Sequence, residues 1–129
     1  MALRVLVNKR RIWNDGMRAT LNVKSNRISL NRNCVDILQE KFGGEVWYLV
    51  ALVDSEIKDT VWLKPTGDSE KEGSYKVTKP KTSIYTRSVR LPGLSKALEL
   101  KTNSCIGVGN WDTENQALKI VIKDNLEIY

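Results

Sequence analysis

The sequence has no histidine, only two cysteines and no apolar run long enough for a membrane helix. Without histidine, a Ser-His-Asp triad, a Cys-His pair and a His-bearing zinc site are all excluded. Two cysteines, Cys34 and Cys105, cannot form a four-thiolate metal site, and they indicate a reduced intracellular protein. The longest apolar run, 46–53, falls far short of the ~20 residues that a membrane helix needs. We therefore expect a cytoplasmic protein that is not bound to a membrane and needs neither a metal nor a catalytic cofactor.

Recognisable catalytic motifs are missing as well. The closest approach to a phosphate-binding glycine loop is Gly107-Val108-Gly109, which lacks a third glycine and a following helix. The acidic cluster of Asp54, Glu56 and Asp59 lacks the spacing of a calcium loop. With 41% hydrophobic and 28% charged residues among 129, the chain has the composition of one globular domain. We expect a binding protein rather than an enzyme.

The charged residues are distributed in alternating blocks. The net charge of +6 is divided into +7 over residues 1–35, −5 over 36–72, +6 over 73–101 and −2 over 102–129. If the two basic blocks lie on one side of the fold, the protein presents a positive surface to polyanions. The alternative is that lysine and arginine only keep exposed strands soluble and unpaired with other chains.

Hydrophobic periodicity predicts the same series of elements twice, which indicates an internal repeat. The first unit is predicted to contain strands at 18–23 and 27–30, a helix at 35–42 and a hairpin of 46–53 with 60–63. The second unit is predicted to contain strands at 74–77 and 82–85, a helix at 94–100 and a hairpin of 105–108 with 117–122. Asn26 suits a tight turn, Asn31 or Asn33 suits the start of the first helix, and Gly43 suits its end.

This pattern predicts an α+β fold, rich in strands, in which two strand-helix-hairpin units pack into one barrel-like or sheet-based domain. The predicted organisation is a basic N-terminal strand or arm at 1–17, a first unit at 18–65, a linker at 66–73, a second unit at 74–123 and a C-terminal tail at 124–129.

Residues 23–38, which read VKSNRISLNRNCVDIL, are followed by Gly43-Gly44 and a hairpin. This segment resembles the AbrB/MazE-like swapped-hairpin DNA-binding domain, with Asn26 where glycine is usual and Asn31 where proline is usual. The resemblance implies a barrel-like fold in which two such units, usually from two chains, grip DNA. A tandem copy in one chain would correspond to that dimer fused into a monomer.

The resemblance implies that basic residues near the first strand and turn of each unit contact DNA. Arginine and lysine on paired strands can follow phosphates, and arginine can also read base edges. The candidate nucleic-acid-binding residues are Arg18, Lys24, Arg27, Arg32, Lys76, Lys79, Lys81 and Arg87, with Trp111 as an exposed aromatic.

Two alternatives stay open. The chain is also similar to Whirly-type single-strand binders, in which bases stack on a basic and aromatic β-surface; Trp47 and Trp62, in one hairpin, could form such a platform. A protein-interaction or assembly subunit, of phage or mobile-element origin, is the alternative function. We expect a nucleic-acid partner, DNA in preference to RNA, with formation of a homo-oligomer left open.

Overall fold

The computed structural model describes residues 16–67, 72–79, 81 and 85–123. The strands are β1 (Arg18–Asn22), β2 (Arg27–Leu30), β3 (Tyr48–Asp54), β4 (Ile57–Thr66), β5 (Ser74–Thr78), β6 (Arg87–Arg90), β7 (Ser104–Asp112) and β8 (Ala117–Lys123). The helices are α1 (Arg32–Phe42), between β2 and β3, and α2 (Leu94–Ala97), between β6 and β7.

The eight strands close into one barrel in the order β1-β2-β6-β5-β3-β4-β8-β7, with β7 pairing back to β1. Every neighbouring pair is antiparallel. Closure gives each of these strands two neighbours, so none of them presents an unpaired edge to solvent.

The expected α+β class is wrong, because the described residues form a closed, mostly β barrel with only two short helices, of 11 and 4 residues. The two strand-helix-hairpin segments do not form separate packing units either. Strands of the first segment pair with strands of the second: β1 with β7, β2 with β6, β3 with β5 and β4 with β8. Such pairing satisfies backbone groups that each segment alone would leave open at its edges.

The strand order brings the two basic stretches of the sequence together. The strand order stays the same when β1, β2, β3 and β4 are exchanged with β5, β6, β7 and β8, respectively. In this symmetric order β2 pairs with β6 on one side of the barrel, and β4 pairs with β8 on the other. The strands β1, β2, β6 and β5 therefore form one half of the barrel, which we call the basic wall. The strands β3, β4, β8 and β7 form the other half, the distal wall.

Local sequence signals explain the first hairpin and the helix that follows it. Asn26 has the left-handed φ of 54° that its turn needs. The side chain of Asn31 accepts a hydrogen bond from the Cys34 N–H at 3.1 Å and so caps α1. Gly43, with a φ of 87°, ends the helix. The predicted turn, cap and helix end are confirmed.

The interior is filled by inward-pointing side chains from both walls, as expected for an eight-stranded barrel. Its largest fully buried members include Leu21, Ile28, Leu63, Leu118 and Ile120. Antiparallel β2 and β6 finish at opposite ends of the barrel, so α1 and α2, which follow them, lie at opposite ends. Both helices contribute buried side chains to the core.

Some predicted segments lie wholly or partly outside the described residues: the N-terminal strand or arm up to residue 15, part of the linker at 68–71, and the tail at 124–129. The strand predicted at 82–85 also falls mostly outside them, and the strand paired with β5 is β6. Within the described ranges, no helix has the length and apolarity required to span a bilayer.

Candidate functional site

The outer surface of the basic wall carries a row of small hydroxyl side chains. They alternate along their strands with buried residues, and the strand registers align them across four strands. The row consists of Thr20, Ser29, Ser88 and Thr78. At about 4.8 Å per strand, it runs for about 14 Å across the wall. Small side chains leave the surface low, so a polyanion can approach the sheet, and the hydroxyls of Thr20, Ser29 and Thr78 can donate hydrogen bonds. Ser88 completes the row but is only 8% exposed.

A pair of arginines lies beside this row. Arg27 on β2 and Arg90 on β6 are direct cross-strand partners, two residues along from the Ser29–Ser88 pair. The Arg27 Nη1 donates a hydrogen bond to the Ser88 Oγ at 3.0 Å. Like charges in direct opposition destabilise a sheet unless something compensates them. This pair therefore concentrates positive charge on the two central strands of the wall.

No carboxylate in the described part of the chain neutralises this pair. The ion pairs found there join Arg32 to Asp36 and Lys58 to Glu99, and neither Arg27 nor Arg90 takes part. On the adjacent strand β5, Lys76 is exposed and lies at the register position opposite Arg90. The arrangement is suited to an anionic ligand that replaces the missing counter-charge.

A second group of cations lies at the α1 end of the same wall. Arg18 begins β1, Arg32 begins α1 directly after β2, and Lys79 directly follows β5. Lys81 comes two residues later and is exposed. The hydroxyl row is thus flanked by cations on both sides, which is the geometry expected of a surface that contacts several phosphates.

Most of the residues predicted from the sequence lie on or at the rim of this one wall. Arg18, Arg27 and Lys76 lie on its strands, whereas Lys24 lies in the turn between β1 and β2. Arg32, Lys79 and Lys81 lie at its α1 end, as described above.

Two predicted residues are placed elsewhere. Arg87 is only 7% exposed, and its Nη1 donates to the Thr86 carbonyl at 2.8 Å. It points inward because it alternates with the outward Ser88. Trp111 is half-buried and packs against the core, with the Lys41 Nζ 6.0 Å from its ring centroid. The expectation of an exposed ring at Trp111 is wrong, since this residue belongs to β7 rather than to a turn.

Sequence reasoning missed Arg90 and the hydroxyl row. Arg90 lies within a block already recognised as basic, but its importance comes from the opposition to Arg27 across β2 and β6. Serine and threonine at strand positions carry no functional signal by themselves. Only the register aligns the four hydroxyls.

The distal wall is different in character. Leu52 and Val108, on β3 and β7, are outward and 41% and 39% exposed. The Trp62 Nε1 donates to the Asp112 Oδ2 at 2.9 Å. Hydrogen bonds to the Asp112 carboxylate, chiefly from the Asn115 side chain and then its backbone N–H, hold the pKa of Asp112 below its ordinary value near 3.8.

Neither cysteine is poised for chemistry. Both are buried, and they are not joined to each other in a disulfide. Burial raises the pKa of the Cys34 thiol to about 12, and its Sγ donates to the Arg18 carbonyl at 3.3 Å. A thiol with so high a pKa is not a nucleophile at neutral pH. Among the residues that the structure describes, no three Cys, Asp or Glu side chains are grouped to hold a metal ion.

Comparison of the chain with protein-family models, with curated proteins and with solved structures finds no match. The function has to be inferred from the site itself.

Proposed function

We propose that this protein is a non-catalytic nucleic-acid-binding protein, with DNA as the preferred partner, and that it binds through the basic wall. The observation that carries the proposal is the Arg27–Arg90 pair, which lies beside the hydroxyl row with no neutralising carboxylate in the described part of the chain. A regulatory DNA-binding role, as the AbrB/MazE-like resemblance implies, and single-strand binding are both consistent with such a surface.

The chemistry of the wall supports phosphates as the groups that are bound. Guanidinium groups form charge-assisted hydrogen bonds with phosphate oxygens, and hydroxyls donate further bonds. Cations on both sides of the row allow several phosphates to be contacted at once. Each phosphate that is bound releases condensed counterions, so the affinity is expected to fall steeply as salt rises.

The test is the salt dependence of oligonucleotide binding by wild type and two double variants. Fluorescence anisotropy with labelled single- and double-stranded oligonucleotides gives the slope of log K against log salt. The double variant Arg27→Ala with Arg90→Ala should have a shallower slope. Its magnitude should be smaller by about two, roughly one for each phosphate that the variant no longer binds. The matched control is Lys64→Ala with Lys119→Ala, which removes the same charge from the distal wall and should leave the slope nearly unchanged.

Two results would contradict the proposal. One is a folded wild-type protein that binds neither oligonucleotide at low salt. The other is an equal loss of affinity in both double variants, because the protein would then respond only to its net charge.

A protein-interaction role is the second candidate, and the exposed Leu52 and Val108 of the distal wall favour it. Light scattering on the purified protein would detect self-association. Replacing both residues by lysine should abolish any oligomer that forms through this surface, whereas an unchanged mass would place the contact elsewhere.

A further inference from the structure

We infer that Tyr85 and Arg32 form a stacking site for one unpaired nucleobase at the α1 end of the basic wall. This inference rests on the proposed nucleic-acid function. It narrows the partner to a nucleic acid that can offer a base outside a duplex stack: a single strand, an overhang or an extruded nucleotide.

The fold brings the two side chains together from different parts of the chain. Leu30 on β2 is the cross-strand partner of Arg87 on β6. Arg32 lies two residues after Leu30, and Tyr85 lies two residues before Arg87. The guanidinium carbon of Arg32 is 4.4 Å from the centroid of the Tyr85 ring, which is a close cation–π contact.

Both members of the pair are open to solvent. Tyr85 is 51% exposed, the largest value among the exposed large hydrophobic side chains of the described chain. The Arg32 side chain is 63% exposed, and its ion pair with Asp36 is long at 3.8 Å. An exposed ion pair of this kind contributes little stability, so the guanidinium can adjust to a ligand. Neither group is explained by packing in the core.

Aromatic rings and guanidinium planes are the two surfaces on which proteins stack unpaired bases. Cations at the same end of the wall can hold the phosphate of the same nucleotide. Lys79 directly follows β5 at this end of the wall, and Arg18 begins β1 there. The combination of a stacking surface with phosphate-binding groups fits one nucleotide rather than a bare anion.

A blunt duplex cannot use this site, because its bases are already paired and stacked. Phosphate contacts on the rest of the wall remain open to both duplex and single strand. The stacking site therefore predicts a selective gain in affinity for nucleic acids with unpaired bases.

The experiment compares wild type with Tyr85→Ala and Tyr85→Phe on three labelled probes of equal length: single-stranded oligothymidylate, the same strand with abasic positions, and a blunt duplex. The Ala variant should bind oligothymidylate about tenfold more weakly, since stacking of one base contributes on that order. The Phe variant should bind like wild type. Binding of the abasic strand and of the blunt duplex should not respond to either substitution.

Two control variants distinguish base stacking from an effect of charge and from the loss of any exposed aromatic ring. Arg32→Lys keeps the charge but removes the planar group, and should weaken oligothymidylate binding more than duplex binding. Phe42→Ala removes another exposed ring at the far end of α1 and should change neither.

The inference is overturned if Tyr85→Ala weakens all three probes equally, or weakens none of them while wild type binds with the expected salt dependence. In both cases the proposed function would stand without it. Wild type that binds no probe at low salt would overturn the proposed function itself.

Discussion

The two walls of the barrel share a backbone architecture but present opposite outer surfaces. On the basic wall, the hydroxyl row and the Arg27–Arg90 pair lie on the outer face. On the distal wall, Leu52, Val108 and the Trp62–Asp112 pair lie there. Their inward side chains are alike, since both walls contribute aliphatic residues to one core. Inward residues determine the barrel, and outward residues determine what each wall can bind.

Because one core joins the walls, a substitution that destabilises the distal wall should also destabilise the basic wall. At Gly107 on β7, an added Cβ would collide with the Ile120 side chain. Gly107→Ala is expected to lower the free energy of unfolding by about 1–3 kcal/mol, through overpacking. Amide hydrogen exchange should become faster in β2 and β6 as well as in β7.

Gly44→Ala is the matched control, because a Cβ there would meet nothing within 4 Å. Its stability should stay close to that of wild type. Faster exchange confined to the distal wall in Gly107→Ala would contradict the shared core.

The stability of the basic wall should depend on the Asn31 side chain, which links β1 to the start of α1. Asn31 is 2% exposed; its Oδ1 accepts from the N–H groups of Cys34 and Arg18, and its Nδ2 donates to the Gly16 carbonyl at 2.9 Å. Asn31→Ala is expected to cost about 1–2 kcal/mol of stability in denaturant unfolding. The exposed neighbour Asn33 also bonds the Gly16 carbonyl, but Asn33→Ala should cost less. An equal cost for both would show that the cap has no special role.

A carboxylate placed on each wall compares their roles directly. Thr78→Glu introduces a negative charge into the hydroxyl row and should weaken oligonucleotide binding about fivefold at low salt, by repulsion of phosphates. Asn110→Glu introduces the same charge at an exposed position of the distal wall and should have a much smaller effect. Equal losses measured by anisotropy would mean that the walls do not differ in binding.

The distal wall should respond to acid through Asp112. Its pKa is lowered in the folded protein, so the carboxylate stabilises the fold above the unfolded-state value near 3.8, and this contribution is lost as the pH falls through the lower, folded pKa. Asp112→Asn should therefore be less stable than wild type at neutral pH, and the difference should shrink below about pH 3.8. Thermal unfolding across that range checks the trend. A difference independent of pH would show that ionisation of Asp112 does not contribute to the stability of the fold.

Local signals make much of the secondary structure predictable. The Asn31 cap and Gly43 end of α1 are encoded within a few residues, and so is the turn at Asn26. The second helix is shorter than the sequence predicts, since α2 ends at Ala97 and the left-handed φ of Glu99 is incompatible with its continuation. Short-range chemistry governs such features.

The barrel and the site are less predictable, because they depend on long-range pairing. Nothing local shows that β2 pairs with β6, about 60 residues later. That pairing sets Arg90 opposite Arg27 and turns Arg87 inward, against the expectation for a surface arginine. The charge blocks indicate a polyanion-binding surface, but only the register defines which cations share it.

Mapping of amide chemical shifts is the most direct test of nucleic-acid binding by the basic wall. An oligonucleotide would be titrated into isotope-labelled protein at low salt. If nucleic acid binds the basic wall, the largest shifts will fall on β1, β2, β6 and β5, around Arg27, Arg90 and Ser88. Shifts concentrated on β3, β4, β8 and β7, or no shifts at all, would contradict it.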